Sequence, residues 1–216
     1  MRYSVCLWWV WVVTLIGCGV KNRKSLVQAD EVQFTKEAIY KQDSLAFELC
    51  QIYGLDQGIR DRKLVFNDFQ LTQKVDTLNF LKIVAFVEKN GYPTKELLGE
   101  SNMKNECVQG AMPAVLLHNP HRLVNENKYF NLFLNEVKIG NFKPEFFATL
   151  LDKYYWTKSK NKQTRRVFYG SQFGKPCIQT KEATNQARVE IGLQPLEDVG
   201  FVDCAGEQLD MPKIRK

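Results

Sequence analysis

His118 closes an apolar run, Leu116-Leu117-His118-Asn119-Pro120, and His121 follows three positions later. Histidine exchanges a proton near neutral pH, so His118 is a candidate general acid or base. A histidine held by hydrogen bonds in a structural network is the plainer reading. His118 and His121 form an HxxH pair, yet Pro120 interrupts the helix that would align the two rings, and spacing nominates no third ligand. No metal site is expected on that basis.

Three further groups could share chemistry with His118. Asp56, Gln57 and Arg60 place an acceptor, an amide and a permanent cation within two helical turns after Gly54. Such a cluster can bind a polar ligand, or it can lock a loop through an Asp–Arg ion pair, and the structural reading is favoured. Asp76 and Asn79 lie three apart and would share one helix face, with a solvated polar face opposite Leu78 and Leu81 as the simplest account. Asp152, Lys153, Tyr169 and Gln172 could meet across a connection between elements, with Gly170 allowing close backbone approach, or Asp152 could simply serve a buried Tyr169 hydroxyl. The expectation is that His118, Arg60, Asp152, Tyr169 and Gln172 converge on one polar site. No GxSxG, phosphate-binding glycine loop, HExxH or serine–lysine pattern accompanies them. The usual hydrolase and nucleotide-enzyme motifs are therefore absent, no cofactor is expected, and catalysis stays open.

The elements that must position these residues read as helices. Apolar residues Ile39, Leu45, Phe47, Leu49 and Ile52 recur at roughly helical spacing before a stop at Gly54. A second helix runs from about Leu71 to Lys89, with Val75, Leu78, Phe80, Leu81, Val84 and Val87 on its apolar face and Asn90-Gly91-Tyr92-Pro93 beyond its end. Thr94 is placed to cap a short turn over residues 95–98. Further helices are expected over Ala111–His118, with Pro113 in a first turn, over Leu123–Ile139, from Pro144 onward, and over Thr184–Ile191. Alternating aromatics from Val167 to Phe173 suggest a short strand or hairpin. The predicted fold is mainly α, with antiparallel helix pairs in one domain and a small β-hairpin near residues 166–180.

Several separated motifs recur in an order that resembles a known bacterial family. They are Asp56-Gln57-Gly58-Ile59-Arg60, Asp76 with Asn79, Gly91-Tyr92-Pro93, Leu116-Leu117-His118, Leu151-Asp152-Lys153, Tyr169-Gly170-Ser171-Gln172 and Ile191-Gly192-Leu193-Gln194-Pro195-Leu196. Over roughly residues 40–196 the chain is similar to the domain of unknown function 6624 family. It carries Lys153 where an arginine is usual and Ser171 where a threonine is usual; lysine lacks arginine's bidentate fork. The resemblance implies no activity and sharpens only the set of residues worth testing.

The N-terminus sets the expected compartment. Met1-Arg2-Tyr3 precedes the apolar run Val5–Ile16, the layout of an export signal, and the run is too short for the roughly 20 residues a membrane-spanning helix needs. Leu15-Ile16-Gly17-Cys18 resembles a lipobox, so residues 1–17 are expected to be removed and Cys18 to carry lipid. Residues 18–31 then read as a lipidated tether, 32–203 as the helical domain and 204–216 as a C-terminal tail. Removing Arg2 leaves 29 basic against 24 acidic side chains, a mildly basic +5. The basic run Lys158–Arg166 reads as a solvated loop, and no nucleic-acid partner is expected outside the cytoplasm. Cys50, Cys107, Cys177 and Cys204 form an even set that allows three disulfide pairings in an oxidising compartment, and no CxxC spacing suggests zinc or redox chemistry. The expected whole is a periplasm-facing envelope lipoprotein, membrane-held through its N-terminal lipid, whose helical domain binds a protein partner or small ligand. The alternative is an enzyme of unknown reaction using His118.

Overall fold

A computed structural model describes residues 20–61, 69–159 and 165–205. The signal segment and Cys18 lie outside the described residues, as do most of the basic loop and of the C-terminal tail. The chain divides into two units, Met1–Lys41 and Gln42–Lys216. In the first, the backbone is helical from Val20, including most of the segment expected to be a tether. Residues such as Lys, Gln and Ala support a helix by intrinsic propensity without any apolar period.

The described residues contain eight α-helices: α1 (Val20–Gly58), α2 (Phe69–Asn90), α3 (Lys95–Leu98), α4 (Glu106–His118), α5 (Pro120–Asn125), α6 (Asn127–Lys138), α7 (Pro144–Lys158) and α8 (Lys181–Glu190). The mainly-α expectation holds. Helix α8 starts a turn earlier than expected, at Lys181 in place of Thr184, and three larger differences have a physical reason. Helix α1 continues past Gly54 to Gly58, since one helical glycine costs only about 1 kcal/mol and the added turn carries the buried Asp56. Helix α4 begins at Glu106, which places Pro113 in its interior, where the ring has no N–H to offer the preceding turn. The single helix expected over residues 123–139 is two, because the backbone extends at Glu126 (φ −119°, ψ 102°), between asparagines that compete poorly for helix.

The predicted hairpin near residues 166–180 is absent: the described residues contain no strand, only one parallel bridge between Cys177 and Val202. The reason is where the backbone donors go. The amides of Phe168 and Tyr169 donate to Asp152 Oδ1 at 2.8 and 2.7 Å, and that of Ser171 to Oδ2 at 3.0 Å, so a carboxylate on α7 takes the place of a partner strand. Gly170, at φ +73°, lets this segment pass tightly, because a Cβ there would lie 2.9 Å from Leu196 and 3.0 Å from Pro176. The glycine serves packing against those two side chains.

The core of the second unit is aromatic. Phe142 meets Tyr92, Phe133, Phe146 and Phe147, while Phe80 sits edge-on to Tyr129. The buried face of α2 is rotated from the expected one. Asn79, Phe80, Ile83, Val84, Phe86 and Val87 are buried, whereas Leu78 and Leu81 are 49% and 45% exposed. On α1, Leu45, Leu49 and Ile52 are buried but Ile39 and Phe47 are exposed. Disulfides join Cys50 to Cys107 and Cys177 to Cys204.

Candidate functional site

Rotation of α2 turns Asp76 and Asn79 toward α1, and a polar cluster forms around the end of that helix. Asp56, fully buried, accepts at Oδ1 from Arg60 (3.2 Å) and from His118 Nδ1 (2.9 Å), and at Oδ2 from Gln57 (2.9 Å). Arg60 also donates to the Asp56 carbonyl (2.9 Å) and to Asp76 Oδ1 (2.5 Å). Local helix geometry explains the first contacts, since Asp56 and Arg60 are one turn apart and face the same way. Asn119, buried at the end of α4, donates to the Val115 carbonyl (2.9 Å) and the Asp76 carbonyl (3.2 Å), tying the His118 helix end to α2.

The bond between His118 and Asp56 dictates the chemistry of the ring. An ionised carboxylate only accepts, so Nδ1 must carry the proton, and in the neutral ring Nε2 keeps its lone pair. His118 is about one-third exposed, and its ring borders an open cleft of about 590 Å³ that Lys153, Tyr154, Thr157 and Lys158 of α7 and His121 and Asn125 of α5 also line. A buried acid behind a histidine that opens on a cleft is an arrangement able to accept or deliver a proton, or to hold a polar ligand. Ligand atoms of Asp56, Asp76 and His118 lie within 4.8 Å of one another, a spacing a metal ion can use. Here the Arg60 guanidinium bridges both carboxylates and supplies the positive charge.

Among the predicted residues, hydrogen bonds bring together Asp56, Gln57, Arg60 and His118, and they add Asp76. Asp152 and Tyr169 belong to a second group. Asp152 is fully buried and meets Tyr169 through the backbone amide; Arg188 completes this group, donating to the carbonyls of Tyr169 (2.5 Å), Gly170 (3.3 Å) and Gln194 (2.8 Å). Gln172 is exposed at the turn that follows. One shared site was expected, and successive helical residues explain the division: they point about 100° apart, so Lys153 reaches the cleft while its neighbour Asp152 turns into the core. Burial pushes the Asp152 carboxyl up to about 6, although three backbone amides favour its charged form.

Residues that sequence left aside have parts here. Asp76 read as a solvated position, Lys158 as the start of a loop and Asn119 only as the residue before Pro120. Both of the chain's histidines border the same cleft, and their scarcity was the one signal that could have joined them. Comparisons extend the chain no further: no family model matches it, and neither curated proteins nor solved structures yield a similar one.

Proposed function

We propose that the chain is a cell-envelope lipoprotein of the domain of unknown function 6624 family whose helical domain binds a small polar molecule in the cleft beside His118. The observation that carries the binding reading is the 2.9 Å bond from His118 Nδ1 to buried Asp56, which fixes an imidazole in the lining of an open cleft. Envelope placement draws support from the lipobox-like Leu15–Cys18 and from two disulfides, which persist in oxidising compartments. Among the described residues no helix is long and apolar enough to cross a membrane. Replacement Cys18→Ala should abolish fatty-acid labelling and move the protein from the membrane fraction to the soluble one; undiminished labelling would refute the anchor.

The same Asp56 bond favours a second reading, in which His118 acts as general acid or base on the bound molecule. Both readings require occupancy of the cleft. The chain's two histidines make that measurable, because the imidazole region of a heteronuclear NMR spectrum reports His118 and His121 alone. A panel of neutral, cationic and anionic small molecules should contain members that shift both signals in the detergent-solubilised full chain. His118→Ala should remove their binding while costing less than about 1 kcal/mol of stability, since Asp56 keeps its bonds from Gln57 and Arg60. A panel that leaves both signals unmoved would contradict binding at this cleft.

A further inference from the structure

The charge of the cleft specifies what it takes. Lys153 and Lys158 line it together with His118 and His121, and no acidic side chain lines it among the described residues. The Lys153 ammonium rests over the rings of Trp156 (4.6 Å) and Phe173 (5.2 Å), a placement that holds it without neutralising it. Among the described residues neither Lys153 nor Lys158 is paired with a carboxylate. The two acids behind His118, Asp56 and Asp76, are bound to Arg60. His121 is held below the ordinary histidine range first by desolvation and then by the charge of Arg122, with Lys158 acting the same way and Glu126 and Asp76 opposing. Two ammonium groups at a concave site whose lining carries no carboxylate among the described residues attract an anion and discriminate against cationic ligands.

Resting on the cleft-binding reading above, we propose that the ligand is a small phosphate-bearing molecule whose phosphate sits between Lys153 and Lys158, with His118 and His121 bordering it and the bare Nε2 of His118 accepting from a hydroxyl or N–H elsewhere on the ligand. Phosphate suits this group better than carboxylate does. A phosphate monoester carries about 1.5 to 2 negative charges and three strong acceptor oxygens, and two flexible ammonium groups can adapt to it as point charges. At about 590 Å³ the cleft has room for the rest of a small molecule beside the phosphate. The phosphate can belong to a soluble ester or to a lipid headgroup, and both present the same chemistry to these side chains.

The test is calorimetric titration of the detergent-solubilised full chain with pyrophosphate, accompanied by imidazole NMR. Pyrophosphate should bind and shift both histidine signals. Lys153→Met and Lys158→Met should each weaken it about tenfold, whereas Lys138→Met, on an exposed end of α6, should leave it unchanged. Vesicles containing phosphatidic acid form a second arm: lysine-dependent binding to them with pyrophosphate silent assigns the phosphate to a lipid headgroup, and the reverse assigns it to a soluble ester. Citrate binding while both phosphate probes stay silent would overturn the proposal, as would lysine variants that bind like the parent. If neutral compounds shift the imidazole signals and phosphate probes do not, the ligand class is wrong and the cleft reading stands. If nothing shifts them, both fail.

Discussion

Asp152→Ala should destabilise the second unit by about 3 to 5 kcal/mol, the largest effect expected of any single substitution. The carboxylate is the acceptor for three backbone amides, and Phe168 and Tyr169, which supply two of them, are buried. Alanine would leave those amides unpaired where water cannot replace the carboxylate. In a chain of this size each kcal/mol corresponds to about 2–4 °C, so the melting temperature should fall by about 10 °C; a fall of less than about 2 °C would contradict the role. The same residue makes stability depend on pH. Burial raises its carboxyl from the usual 3.8 to about 6, so the folded protein holds this proton more tightly than the unfolded chain does. The contribution is fully present below about pH 4 and is lost as pH rises through about 6, with a span of about 3 kcal/mol. Subtracting the stability profile of Asp152→Asn from that of the parent isolates it. The difference should favour the parent most at pH 4 and decline toward pH 7, and a difference flat across that range would be the contrary result.

Loss of the Cys50–Cys107 disulfide comes next in size. It spans a sequence separation of 57 residues, the Cys177–Cys204 bond one of 27. Closing loops of those lengths restricts the unfolded chain by about 4 and about 3.5 kcal/mol respectively, on a chain-entropy estimate. Paired Cys→Ser replacement should therefore lower the melting temperature by about 10 °C for the longer loop and slightly less for the shorter. Cys177→Ser with Cys204→Ser has a local consequence as well, because Cys204 stands where a tail was expected, yet is buried, and Val202 just before it is bonded to Pro176 and Ile178. Proteolysis after Val202 should accelerate in that variant and not in the Cys50/Cys107 one. Equal melting temperatures for parent and both paired variants would show that neither bond constrains the fold.

Helix identity was legible wherever apolar period and punctuation agreed. Thr94 caps α3 by accepting from the Leu97 amide at 3.3 Å, Pro144 opens α7, and Asn90-Gly91 ends α2, all as residue chemistry dictates. Facing was harder. Leu78 and Leu81 have the composition of core positions but are exposed, while Asn79 lies inside and donates to the Ile52 carbonyl at 3.3 Å. The hydrophobic pattern of α2 is wide enough to fit two rotations, and the one adopted is the one that lets Asp76 reach Arg60. The run 167–173 read as a strand because of its aromatic composition, yet Val167, Phe168 and Tyr169 are buried at three consecutive positions and not alternately; only the position of Asp152, sixteen and seventeen residues before Phe168 and Tyr169, decides where their amides bond. For the site, the local pair Asp56–Arg60 was readable, and contacts across long separations, such as Asp56 to His118, were not deducible from spacing. Arg188 gave no signal at all, since a lone arginine in a polar helix looks solvated until the carbonyls of Tyr169 and Gln194 are placed beside it.

The central claim is that Asp56 fixes the His118 ring at the edge of the cleft with its proton on Nδ1, and the tautomer of that ring tests it most directly. Nitrogen-15 imidazole NMR of the full chain, recorded where the ring is neutral, should find His118 protonated at Nδ1 and bare at Nε2, with the Nδ1 proton shifted downfield by its bond to the carboxylate. Asp56→Ala should abolish that downfield signal and let the ring populate the Nε2-protonated form. A parent spectrum showing His118 predominantly protonated at Nε2 would contradict the account, because no proton would then join the imidazole to Asp56.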